Sequence, residues 1–251
     1  VAVPKDFVLN NKAITLAADV FFVDGIAFLM SVSRQIKFVT AEHTPVRTAK
    51  SLTKHIKRIL QVYYRAGFVV RYVMMDGEFE KIKSELPSIV VNTTAAKERV
   101  AEAERTIRTI KERCRGVLAT VPFKHVPRRM KIEFLYFVIL WLNAFPLRSG
   151  ISKVFSPREI IVRWKMSAKK HCRVLPGSYC EVHDEPDPTN TMVPRTHEGI
   201  ALGPTGNLQG TVKFFCLNTG RILKRRNFTE IPMPDSIIAR VDAIGLKEKQ
   251  T

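Results

Sequence analysis

The 251-residue chain reads as an α/β core, a mixed sheet flanked by helices, followed by a small β-rich module. Three observations carry that expectation. Two apolar, β-prone runs flank the pair Asp24-Gly25, which marks a hairpin. A helical stretch over residues 45–66 leads directly into a short apolar run ending on Asp76, the pattern of a parallel strand after its crossover helix. From Lys169 onward the helical periodicity stops, and short runs split by Pro, Gly and Asn take over.

In chain order, residues 1–12 read as an extended lead-in. Thr15–Val23 and Ile26–Ser33 are the two hairpin strands, because a two-residue Asp-Gly loop favours the positive φ angles of a type I′ turn. Asp19 interrupts the first strand. A charge there is costly unless it is paired, hydrogen-bonded or bound to a metal. Ile36–Thr40 completes an antiparallel meander. In the helix at 45–66, Val46, Ala49, Leu52, Ile56, Ile59 and Leu60 form the apolar side, Lys50, Lys54, Lys57 and Arg58 lie elsewhere, and Gly67 is a natural stop. Phe68–Met75 is expected to be a buried parallel strand. It ends at Asp76-Gly77-Glu78-Phe79, and in open α/β sheets sites gather beyond the carboxyl ends of strands. A turn-forming Asp-Gly would explain the same residues. A short helical piece, Glu78–Leu86, and a strand or loop, Ile89–Thr93, follow.

The next helix is expected from Lys97 to about Leu118. Val100, Ala103, Ile107, Ile110, Cys114, Val117 and Leu118 recur at steps of three and four and make one apolar stripe. At about 100° per residue, Glu104 falls on an edge of that stripe, with Arg108, Lys111 and Arg115 along the same edge. Glu102 projects away, towards water. A surface helix laced with acid–base pairs would look the same. A second helix, 127–144, is apolar almost all round and should be buried, and a short one lies near 157–164. Ser178–His183, Glu198–Leu202, Gly210–Leu217 and Arg221–Phe228 are the strands of the β-rich module, expected to be a small SH3-like barrel with a basic patch at Lys224, Arg225 and Arg226. The division is then 1–12 lead-in, 13–165 core, 169–234 module and 235–251 tail.

Charge narrows the function. Lys and Arg total 41 against 23 Asp and Glu, a net charge of +18, which points to a polyanion and first to nucleic acid. A membrane is the weaker candidate, since the longest apolar run, Phe134–Leu142, is far short of the ~18 residues a span needs. A start at Val1, with neither Met nor a signal-like segment, is expected of a fragment of a longer polypeptide. The four cysteines are scattered and the six His do not cluster with them, which argues against zinc and for an intracellular chain with reduced thiols.

Three carboxylates can be set together: Asp19 on the first strand, Asp76 ending the strand after the first long helix, and Glu104 opening the next. The order β-β-β-α-β-α, with acids at those places, resembles ribonuclease-H-like phosphoryl-transfer enzymes. Such chemistry uses acids in threes because two hard cations about 3.5–4 Å apart need oxygen ligands while they clamp the attacking and leaving oxygens.

On these residues the chain resembles the integrase region of copia-type (Pseudoviridae) retrotransposon polyproteins. Asp76-Gly-Glu-Phe79 resembles their Asp-Asn-Gly-x-Glu-Phe. Glu104-Arg105-x-x-Arg108-Thr109 resembles Glu-Arg-x-x-Arg-Thr, and Leu16–Gly25 resembles the first catalytic strand and hairpin. Ser149-Gly150 and Phe155–Glu159 resemble the segment after the core. The resemblance implies a ribonuclease-H-like core with Asp19, Asp76 and Glu104 as catalytic residues holding two magnesium or manganese ions. It also implies joining of element 3′ ends to double-stranded target DNA, a homo-oligomer on DNA, and a route from cytoplasmic particle to nucleus. Arg105, Arg108, Lys111 and Arg115 would grip DNA beside the acids, and Lys224, Arg225 and Arg226 would add affinity from the module. The Asp76–Glu104 spacing is shorter than the family's, the amino-terminal zinc module lies outside this chain, and Glu102 is a rival for Glu104. Two further classes stay open: a catalytically decayed integrase-like scaffold, and an RNA-binding β-module with a helical adaptor.

Overall fold

Asp24 and Gly25 both adopt positive φ, 45° and 73°, as a type I′ turn requires. They join β1 (Ala13–Val23) to β2 (Ile26–Ser33). The computed structural model describes residues 1–87, 89–93, 101–184, 192 and 194–250. The chain divides into two units, Val1–Glu112 with Ile139–Lys165, and Arg113–Val138 with Met166–Thr251.

The first unit is built on a mixed five-stranded sheet. β1 pairs antiparallel with β2, and β2 antiparallel with β3 (Val39–His43). On its other edge β1 pairs parallel with β4 (Val69–Met75), and β4 parallel with β5 (Val90–Thr93), giving the order β3-β2-β1-β4-β5. Every residue of β2 is buried, which is why it is apolar on both faces. β4 departs from the fully buried strand expected of it. Val70, Val73 and Met75 are in the core, while Val69 and Tyr72 are exposed. A register shift against β1, between Ile14 and Thr15, leaves Arg71 unmatched and sets the two faces apart.

Residues 1–12 are not simply extended. They contain α1 (Lys5–Asn10), whose Phe7 and Val8 pack on the core. α2 (Ala49–Arg65) begins where the Thr48 side chain accepts a hydrogen bond from the Ser51 N–H, and buries Leu52, Ile56, Ile59, Leu60 and Tyr63. Gly67, at φ +88°, ends it. Val46, expected on its apolar side, lies before the helix and is exposed. A 3₁₀ helix, Gly77–Glu85, buries Phe79 and Ile82.

α3 spans Ala101–Thr120, with Ala103, Ile110 and Cys114 buried along the expected stripe. Val100 and the expected start at Lys97 lie outside the described residues. α4 (Arg128–Leu142) buries one side, with Met130, Phe134, Leu135, Val138 and Ile139, while Phe137, Leu140 and Trp141 are half-buried, so it is not buried all round as expected. α5 (Pro157–Val162) opens with a capping box between Ser156 and Glu159. After α4, buried Asn143 does the work of a neighbouring strand for the sheet edge. Its Oδ1 accepts from the Val39 N–H at 2.8 Å and its Nδ2 donates to the Val39 carbonyl at 2.7 Å.

In the second unit, after α6 (Ala168–His171), come β6 (Tyr179–His183), β7 (Thr196–Pro204), β8 (Val212–Cys216), β9 (Ile222–Arg225) and β10 (Phe228–Glu230). They form an antiparallel sheet in the order β10-β6-β7-β8-β9. The expected barrel is an open sheet: among the described residues β9 and β10 each pair on one side only. Where a tail was expected there is α7 (Asp235–Lys247), with Ile237, Val241 and Gly245 buried at steps of four. Ile237 and Val241 share a core with Met130, Phe134, Ile200 and Phe215. Gly245 passes so close to the His125 carbonyl oxygen that a Cβ there would collide with it. The four cysteines are free thiols. Among the described residues no helix is long and apolar enough to cross a membrane.

Candidate active site

β1 and β4 run parallel with Ala17 opposite Met74. Two residues past this pair are Asp19, still on β1, and Asp76, the residue just after β4, both at the carboxyl end of β4. Neighbouring strands lie about 4.8 Å apart, so the topology alone makes these two acids neighbours. Asp19 is half-buried, and its Oδ1 accepts a hydrogen bond from the Val20 N–H at 2.7 Å. Asp76 is exposed and caps the 3₁₀ helix, its Oδ1 accepting from the Gly77 N–H at 2.6 Å. Its turn-forming role and its place at a strand end are therefore both real.

Glu104, in the first turn of α3, joins them. A cavity of about 370 Å³ is lined by Ala18, Asp19, Val20, Phe21, Phe22, Asp76, Glu104, Ile107 and Lys111. Three carboxylates and one ammonium thus face a single space, and the acids come from three distant parts of the chain.

Glu102 goes elsewhere, and not to water as expected. It is gripped by Arg34 at 3.0 Å and Lys37 at 2.5 Å, both from the turn between β2 and β3. Helical spacing showed that Glu102 and Glu104 point apart, but not that two cations more than sixty residues upstream wait for one of them.

The donor set of the cavity, carboxylate oxygens only, is of the kind that suits a hard divalent cation such as magnesium or manganese. The side chains do not yet form a ligand cluster: among the described residues no three His, Cys, Asp or Glu are placed to hold one ion. The physical reason is in the hydrogen bonds. Each Asp turns an oxygen onto the next backbone N–H, Asp19 at 2.7 Å and Asp76 at 2.6 Å.

No protein-family model and no curated protein matches the chain. Among solved structures it is similar to the crystal structure of the catalytic core domain of BIV integrase, with 17% identity and a TM-score of 0.42, over 59% of this chain and 93% of that one. A likeness that loose carries no functional argument, and the reading below stands on the residues.

The cations expected to grip DNA separate into groups. Lys111 lines the cavity. Arg105 and Arg108 are exposed on α3, with the Arg105 Nε donating to the Ala101 carbonyl at 3.2 Å. Arg115 is exposed but falls in the second unit. Strand alternation divides the module's triplet: Lys224 and Arg226 are exposed, while Arg225 turns in to Asp184 at 3.1 Å.

Two features escaped the sequence reading. Phe22 is 44% exposed at the cavity, with the Arg47 guanidinium 5.2 Å from its ring centroid. Its position three residues past Asp19 was the available signal. The other is a groove lined by lysines of α2, whose four-residue spacing was visible in the sequence.

Proposed function

We propose that the first unit is the catalytic core of a polynucleotidyl transferase, a copia-type integrase that joins element DNA 3′ ends to target DNA. The observation that carries this is the shared cavity of Asp19, Asp76 and Glu104. The strand order with β1 central and β2 antiparallel to it supports a ribonuclease-H-like reading, as does the presence of acids on β1, after β4 and on α3.

In this reading Asp19 and Asp76 would hold one divalent cation, and Asp19 with Glu104 a second. Cations held there would supply Lewis-acid chemistry, activating the attacking hydroxyl and offsetting charge on the leaving oxygen. The protein's own groups do the rest. Lys111, on the same helix face as Glu104, takes a non-bridging phosphate oxygen, and Phe22 offers an apolar face beside it. The 3′-hydroxyl of element DNA gives its proton to solvent as its oxygen bonds to a target phosphorus, the bond from that phosphorus to the target 3′-oxygen breaks, and the leaving oxygen takes up a proton from solvent.

A second reading, an integrase-like scaffold that binds DNA without chemistry, has one observation in its favour: among the described residues no three acids are placed to hold one ion. A strand-transfer assay on a short duplex, in magnesium and in manganese, separates the two. The enzyme reading expects joined product with either metal. Tight binding with no product under any metal would leave the scaffold.

A further inference from the structure

We propose that the groove between α2 and the 3₁₀ helix is a second binding surface, built for the phosphate backbone of duplex DNA. The groove, of about 720 Å³, is lined by Lys50, Lys54, Lys57, Arg58 and Lys81, with Glu85 as its one acid. It shares no lining residue with the carboxylate cavity, and the proposal does not require those carboxylates to be catalytic.

The arrangement is not that of an ordinary solvated helix face. Surface helices mix both signs, typically with acids four residues from their lysines. In its 17 residues α2 has no Asp or Glu. Lys50 also stands in its first turn, where the helix dipole disfavours a cation, so its charge runs against the stability of the helix that carries it.

Geometry supplies the match. At about 100° per residue the four α2 cations fall within an arc of about 100°. At about 1.5 Å rise per residue they run for about 12 Å. One strand of a duplex places a phosphate every 3.4 Å or so along the axis, so the row faces three or four phosphates. Arg58 also approaches Glu42, at 3.7 Å, and Lys81 donates to the Arg47 carbonyl at 3.3 Å, bracing the groove wall. Lys50, Lys54 and Lys57 have no such partner among the described residues, which leaves their ammonium groups to a polyanion.

The test is fluorescence anisotropy of the full chain on a short labelled duplex, from about 50 to 200 mM salt. The triple variant Lys50→Gln, Lys54→Gln, Lys57→Gln should lower the slope of log affinity against log salt by about two to three, since each lost phosphate contact removes about 0.9. Affinity near the low end should fall at least tenfold. The triple Lys→Arg variant should bind as the parent does, and a thermal melt of the Gln variant should match or exceed the parent's. An unchanged slope overturns the proposal. So does an Arg variant that binds as poorly as the Gln variant. A Gln variant that keeps the duplex but loses a polyglutamate peptide would make the groove a protein-docking surface and would also overturn it.

Discussion

Asp19 on β1 and Asp76, the residue just after β4, each lie two residues past the paired Ala17 and Met74. That register is a consequence of topology. A parallel pair brings the same ends of two strands together, so acids at equivalent positions meet although 57 residues, 19 to 76, separate them in sequence.

Asp76 caps the 3₁₀ helix and, under the proposed function, would also hold a cation; two substitutions separate the two roles. Asp76→Asn keeps an oxygen for the Gly77 N–H and removes the charge. It should melt within a degree or two of the parent while joining falls by about a hundredfold or more, the scale of losing one key electrostatic group. Asp76→Ala should lose the same activity and also loosen the turn. Calorimetry beside a joining assay reads both. An Asn variant that unfolds would mean that the charge itself holds the turn.

The sheet edge depends on Asn143. Replacing it with Leu leaves the Val39 N–H and carbonyl without their partners. Each buried orphan costs about 1–3 kcal/mol, so urea unfolding should show a loss of about 2–5 kcal/mol. A loss below about 1 kcal/mol would mean that water replaces the amide there.

Stability should fall as the solution is acidified, in part through His55. Its ring is buried, and desolvation holds its pKa below the ordinary 6.5 against the pull of Glu42. Arg58 and Lys54 add to the lowering. Between the lowered folded pKa and 6.5 the unfolded chain binds more protons than the folded one, so stability rises with pH through that window and is lost below it. Urea midpoints measured from about pH 7 to pH 5 should fall more steeply for the parent than for His55→Gln. Parallel slopes would show that His55 takes no part.

What could be read from the sequence was what local chemistry decides. The Asp-Gly turn needs positive φ, the stripe of α3 follows its own period, and a charge inside the β1 run demands a reason. That Asp19 and Asp76 share one end of the sheet was readable because β-β-β-α-β order brings β1 and β4 together. What could not be read came from distant partners. Arg34 and Lys37 hold Glu102, and nothing in the helix announces them. α7 buries only Ile237, Val241 and Gly245, and Gly245 matters for the space it leaves to the His125 carbonyl, a contact with a distant segment. The barrel was inferred from short strands and turns, which an open sheet shares.

The central claim is that Glu104, and not its neighbour Glu102, completes a working triad. The most direct test compares Glu104→Gln with Glu102→Gln in one joining assay, with duplex binding measured in parallel. Glu104→Gln should abolish joining and bind DNA as well as the parent or slightly better, since a negative charge near phosphate is gone. Glu102→Gln should keep joining within a few-fold and lose no more than about 1–2 kcal/mol of stability, the scale of a partly buried ion pair. A Glu104→Gln protein that joins DNA at the parental rate, or a Glu102→Gln protein that is the inactive one of the two, would contradict the account.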